Sequence, residues 1–304
     1  METRVSYYSD GCKLAGTLFV PDGLKPGEKR SGIVFAHGFT GTRDTLLLPF
    51  SRFFCEKGYV CLSFDYRGFG QSEGARFRLL PMNEVEDLRA SITFLQQQAN
   101  VDEDSIGVFG TSFGGAVSVY GTALDERVKC LVVNISVGNG AKWLRSLRSG
   151  REWRTLLDEL KEDRVRRVMT GKSKMVSWLY VMPDEASRKA REEIMKTDPT
   201  CCQEVPLETP QAVIEFKPDE VVHKIAPRPV LFTVAERDIL TPVELTREMF
   251  DRAGEPKKWV VVPGAEHYET YSPPHSKLVI DEAFKWFTQY LPVQKAEPGL
   301  WRKM

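Results

Sequence analysis

Apolar and polar positions alternate from the start of the chain. Residues 3–9 and 12–20 switch between the two classes, with Asp10-Gly11 between them. Alternation with period two predicts half-buried strands, and Asp-Gly between two such runs predicts a tight hairpin. An antiparallel ribbon therefore opens the fold. Beyond the polar loop 21–31 the pattern becomes short apolar runs separated by helical stretches. Gly32 to Ala36 predicts a buried strand, Leu46 to Lys57 a helix closed by Gly58, and Tyr59 to Phe64 a further strand. Asn83 to Gln98 sets Val85, Leu88, Ile92 and Leu95 at helical spacing. Ile106 to Phe109 and Val128 to Val137 predict strands on either side of a helix over Ala116 to Leu124. Towards the end, Pro229 to Val234 and Lys258 to Val262 predict strands. Val243 to Arg252 and Lys277 to Tyr290 predict helices, and residues 291–304 read as a loose tail. Strand and helix in turn predict an α/β fold, a mostly parallel twisted sheet with helices on both faces.

The alternation stops between 138 and 205, where no core strand is visible. Trp153, Leu156, Leu157 and Leu160 share one helical face, and Glu185 to Met195 predicts another helix. This stretch reads as a helical cap inserted into a core of 1–137 and 206–304. It leaves the sheet at the carboxyl edge, where ligands bind in open α/β sheets. Trp143, Trp153 and Trp178 are its candidates for substrate contact, with packing of cap on core as the alternative role.

Composition narrows the class. Lys plus Arg and Asp plus Glu both number 42, so the formal charge is zero and no nucleic-acid or membrane-surface partner is implied. No apolar run approaches the length of a membrane span, and Met1 to Tyr8 has no apolar signal core. The six cysteines show no C-x-x-C spacing, which fits a reducing cytoplasm. Neither cysteines nor histidines have metal-ligand spacing, and no dinucleotide or phosphate-loop fingerprint is present, so no metal or cofactor is expected. A homo-oligomer is compatible with all of this.

Candidate chemistry centres on Gly110-Thr-Ser112-Phe-Gly114, between a predicted strand and a predicted helix. Such a turn is so sharp that side chains two residues either side of the serine would collide, and glycine removes them. The serine hydroxyl then stands at the sheet edge, beside the free N–H groups and positive dipole of a helix N-terminus.

Further pieces follow in a fixed order. They are His37-Gly38-Phe39, Asp65-x-Arg67-Gly68-x-Gly70-x-Ser72, the Asp238 loop and Gly264-x-x-His267. With the serine turn, these resemble the α/β-hydrolase superfamily over nearly the whole chain, and more loosely its capped esterases and acyl-peptidase-like hydrolases. The resemblance implies a serine hydrolase acting on a small-molecule acyl substrate, a carboxylic ester first, with amide, thioester or C–C bonds as alternatives and a non-catalytic ligand-binding member of the fold as the remote one. It assigns Ser112 as nucleophile, His267 as base and Asp238 as the acid that orients the base. His275 competes for the base and Glu236 for the acid. The resemblance also implies an oxyanion hole of the Phe39 and Phe113 backbone N–H groups. Phe39 lacks the hydroxyl that a tyrosine would offer at this place in some relatives. The Asp65 and Arg67 loop carries a structural role only.

Overall fold

The computed structural model of the chain describes residues 1–198 and 201–293. Strands β1 (Glu2–Ser9) and β2 (Cys12–Phe19) form the opening hairpin, with Ser9 opposite Cys12. Asp10 and Gly11 both take positive φ, 47° and 77°, the twist that a two-residue hairpin turn needs. The chain then runs through β3 (Arg30–Ala36), α1 (Leu48–Glu56), β4 (Val60–Phe64), α2 (Pro81–Gln96), β5 (Val101–Thr111), α3 (Phe113–Leu124) and β6 (Val128–Asn134). An insertion follows, with α4 (Gly140–Ser146), α5 (Gly150–Thr170), β7 (Met175–Ser177), α6 (Trp178–Val181), α7 (Glu185–Thr197), β8 (Glu204–Pro206) and α8 (Glu208–Glu215). The sheet resumes in β9 (Val230–Ala235), α9 (Val243–Arg252), β10 (Lys257–Val262) and α10 (His275–Tyr290).

Eight strands form one sheet in the order β1-β2-β4-β3-β5-β6-β9-β10. β1, β2 and β4 pair antiparallel, and the run β4-β3-β5-β6-β9-β10 pairs parallel. The central strands alternate between two cores. Val34, Val108 and Leu131 face the layer of α2 and α3. Phe35, Phe109 and Val132 face the layer of α1 and α10. With both faces covered, these strands read as continuous apolar runs. Crossover connections put the ends of β3, β5, β9 and β10 on one edge of the sheet, and that edge carries the site.

Three boundaries differ from those read in the sequence. The apolar run to Val137 is not all strand. At Ile135 φ turns to 43° and the chain leaves the sheet, although Ile135 and Val137 stay buried. The helical layer also continues past residue 205. α8 packs against α4 and α5, and the Gly140 N–H donates to Phe216 O at 2.9 Å. An added Cβ at Gly140 would lie 1.8 Å from Val213 O, so only glycine allows α4 to sit against this segment. Finally, Leu291 to Val293 are docked rather than loose. The Tyr59 hydroxyl donates to Leu291 O and the Ser31 N–H to Val293 O. The rest of the expected tail, 294–304, lies outside the described residues.

The insertion holds a two-stranded antiparallel sheet, β7 with β8, that is separate from the main sheet. α6 and α7 reach the loops at the carboxyl ends of β3 and β10. Among the described residues no helix is long and apolar enough to cross a membrane.

Candidate active site

Ser112 lies between β5 and α3 with φ 53° and ψ −126°, a conformation that costs a non-glycine residue on the order of 1–3 kcal/mol. Close packing explains why the strain persists. A Cβ at Gly110 would meet Ser118 Oγ at 2.2 Å, and one at Gly114 would meet His37 O at 2.2 Å. The elbow is pinned to the sheet by Ser112 N–H donating to Asn134 O at 2.9 Å.

His267 follows β10 and opens a short 3-10 turn to Tyr271. Its Nε2 lies 3.0 Å from Ser112 Oγ, and its Nδ1 lies 2.7 Å from Asp238 Oδ2. A carboxylate only accepts, so Nδ1 carries the proton and Nε2 is left to accept from the serine hydroxyl. Asp238 follows β9 and is buried. It also accepts from the N–H groups of Leu240 and Thr241 at 3.0 and 2.8 Å, and from Thr241 Oγ1 at 2.9 Å. These donors fix the carboxylate in one orientation. The sequence rivals stand elsewhere. Glu236 accepts from the Gly264 N–H at 2.6 Å, and His275 begins α10.

The loop after β3 closes over the serine. A Cβ at Gly38 would stand 3.1 Å from Ser112 Cβ, so the backbone at 38–39 runs directly against the elbow. The Phe39 N–H and the Phe113 N–H, the latter at the first position of α3, have no hydrogen-bond partner among the described residues. The two phenyl rings stand edge to face at 5.6 Å.

A family model described as "Serine aminopeptidase, S33" matches residues 27–270. The chain belongs to this α/β-hydrolase family. An uncharacterized 31.7 kDa protein of the traX-finO intergenic region of Escherichia coli is 31% identical over 279 residues, 91% of this chain and 96% of that one. The polyketide transferase grgF of a Penicillium species is 26% identical over 269 residues, 86% of this chain and 87% of its own. The solved structure of DcsB with its substrate analogue superposes with a TM-score of 0.84 at 22% identity, over 96% of this chain and 99% of that one. At such identity the last likeness speaks for the fold alone.

In this α/β hydrolase the serine opens onto a narrow cavity of about 60 Å³, roofed by the insertion. Trp178, Met182, Arg191 and Ile194 come from the roof, and Phe39, Thr40, Tyr268 and Tyr271 from the sheet side. Burial pushes the Tyr268 hydroxyl up to about 12, so it stays neutral, and it bonds Ser187 of α7 at 3.2 Å. Of the three tryptophans read as substrate contacts, only Trp178 lines this cavity. Trp143 is buried beneath it, donating Nε1–H to Leu240 O at 2.8 Å and packing on Phe39 and Phe113. Trp153 is half-buried against the core. Both are corrections. An aromatic side chain in an amphipathic insertion has a core to cover as well as a ligand, and these two cover the core.

Other motif residues have structural partners. Asp65 accepts from the Arg43 guanidinium, the Arg43 N–H and the Gln71 N–H. Arg67 donates to Asp87 rather than to Asp65. His37 is buried, which pushes its pKa down. Its Nδ1 lies 3.0 Å from Gly38 O, and its Nε2 has no partner. Sequence reasoning missed Thr40, Thr241 and Arg191. The first two stand within three residues of a recognised position. Arg191 gave no signal, being one of several charged residues on α7.

Proposed function

We propose that the chain is a serine hydrolase that cleaves a carboxylic ester of a small acyl substrate through an acyl-enzyme. Ser112 Oγ attacks the carbonyl carbon while its proton passes to His267 Nε2. Asp238 holds the imidazole in the right tautomer and stabilises its cation. The Phe39 and Phe113 N–H groups receive the oxyanion. The C–O bond then breaks, and His267 gives its proton to the leaving alcohol. Water, deprotonated by His267, adds to the acyl-enzyme carbonyl, and the acid leaves Ser112. The single observation behind this reading is the serine–histidine–aspartate line, at 3.0 and 2.7 Å.

A second reading keeps the acyl-enzyme and changes the partner. A relative bears the name polyketide transferase, which favours a thioester donor or transfer to an alcohol in place of water. Both readings are tested by kcat/KM for p-nitrophenyl esters of rising chain length, beside a thioester and an amide, with and without an added alcohol. The narrow cavity favours short acyl chains. No turnover above the Ser112→Ala variant on any of these overturns both readings.

A further inference from the structure

We propose that Arg191 is a carboxylate-binding residue, and that the preferred substrate carries a carboxylate on the part lodged under the roof. The proposal rests on the ester-hydrolase reading for its reaction and extends it to a substrate class. Arg191 sits on α7, is only 8% exposed and lines the cavity that Ser112 opens onto. Its neighbour on the same helix, Arg188, is exposed and paired with Glu185 and Glu192. Arg191 forms no ion pair among the described residues, and Asp198 also lines the cavity. A guanidinium stays charged in any protein setting, so burial without a counter-charge is costly.

What holds Arg191 satisfies only part of it. One Nη2–H donates to Thr40 Oγ1 at 2.8 Å, and the guanidinium carbon lies over the Trp178 ring, 4.2 Å from its centre. Nε is buried with no partner. Thr40 and Trp178 fix the plane, while at least one N–H still lacks an acceptor. The rest of the lining is mostly apolar, with Phe39, Met182 and Ile194 among it. A fixed, partly unsatisfied guanidinium in an apolar cavity is suited to a planar anion, and the small volume favours a carboxylate over a bulkier group.

The test separates binding from catalysis. In the Ser112→Ala protein, calorimetry compares monomethyl glutarate, which is anionic, with dimethyl glutarate, which is neutral. The monoester binds on the order of 10- to 100-fold more tightly, the range for a hydrogen bond to a charged group. The added change Arg191→Met removes that preference, and Arg191→Lys, which keeps a charge, retains part of it. Equal affinities with Arg191 present, or a preference that survives Arg191→Met, overturn the proposal. So does failure of both ligands to bind. In wild type, kcat/KM for mono-p-nitrophenyl glutarate is set against p-nitrophenyl pentanoate. If both are cleaved without preference, the carboxylate site falls and the hydrolase reading stands. If neither is cleaved but the binding preference remains, the reverse holds.

Discussion

The Trp178 indole N–H donates to the Thr40 hydroxyl at 2.7 Å, joining residues 138 apart in sequence. Arg191 donates to the same oxygen. One buried hydroxyl thus ties two roof side chains to the residue after Phe39, whose N–H is proposed to face the oxyanion. Thr40→Val keeps the shape and removes the acceptor. Each buried donor left unpaired costs about 1–3 kcal/mol, so the melting temperature falls by several degrees. Turnover falls on the order of 10-fold as the loop loses its anchor. Thr40→Ser restores both. Differential scanning fluorimetry beside ester kinetics decides the matter, and a valine variant equal to wild type in both would show that the tie is incidental.

Ser112 serves the proposed chemistry at the expense of stability. With φ 53° and ψ −126° it occupies backbone space that suits glycine. Ser112→Gly therefore abolishes turnover yet gains about 1 kcal/mol or more in urea unfolding, because strain is released. Ser112→Ala also loses turnover, and a phosphonate probe labels wild type at this serine alone. A glycine variant less stable than the alanine variant would refute the strain account.

Asp238 and Glu236 are two residues apart on the same loop and have different partners. Asp238 receives His267 and three further donors, whereas Glu236 receives the Gly264 N–H. Asp238→Asn loses turnover by up to about ten-thousandfold, because an amide no longer fixes the imidazole tautomer. Glu236→Gln changes kcat by less than about threefold, since an amide oxygen can still accept from Gly264. A larger loss for Glu236→Gln than for Asp238→Asn would mean the wrong carboxylate was chosen.

The sheet was legible because its signals are local. Asp10-Gly11 needs only its own turn, and buried parallel strands such as Ile33 to Ala36 stand out as apolar runs. The site was legible for a related reason. Gly110, Gly114 and Gly38 are demanded by contacts of 2.2 to 3.1 Å, so the glycines survive as a readable pattern. The insertion was less legible because its contacts are between elements. Trp143 and Trp178 look alike in sequence, and only the tertiary partners, Leu240 for one and Thr40 for the other, separate them. Arg191 is harder still. Its charge resembles that of Arg188, and burial under the roof is what sets it apart.

Trp143 and Trp178 therefore respond differently to truncation. Trp143 donates to Leu240 O, and the Leu240 N–H in turn donates to Asp238 Oδ1 at 3.0 Å. Its ring also packs on Phe39 and Phe113 at 6.0 and 5.9 Å. It supports the acid loop and both proposed oxyanion residues from beneath without lining the cavity. Trp143→Phe orphans a buried carbonyl and leaves a void, which lowers the melting temperature by several degrees. It lowers kcat for every ester in proportion, so the ratio of kcat/KM for a short and a bulky ester is unchanged. Trp178 lines the cavity, and Trp178→Phe shifts that ratio on the order of 10-fold to 200-fold, the scale of one lost contact in an apolar pocket. Measuring the ratio and the melting temperature in both variants tests the division directly. A changed ratio in Trp143→Phe, or an unchanged one in Trp178→Phe, would reverse the roles assigned to the two rings.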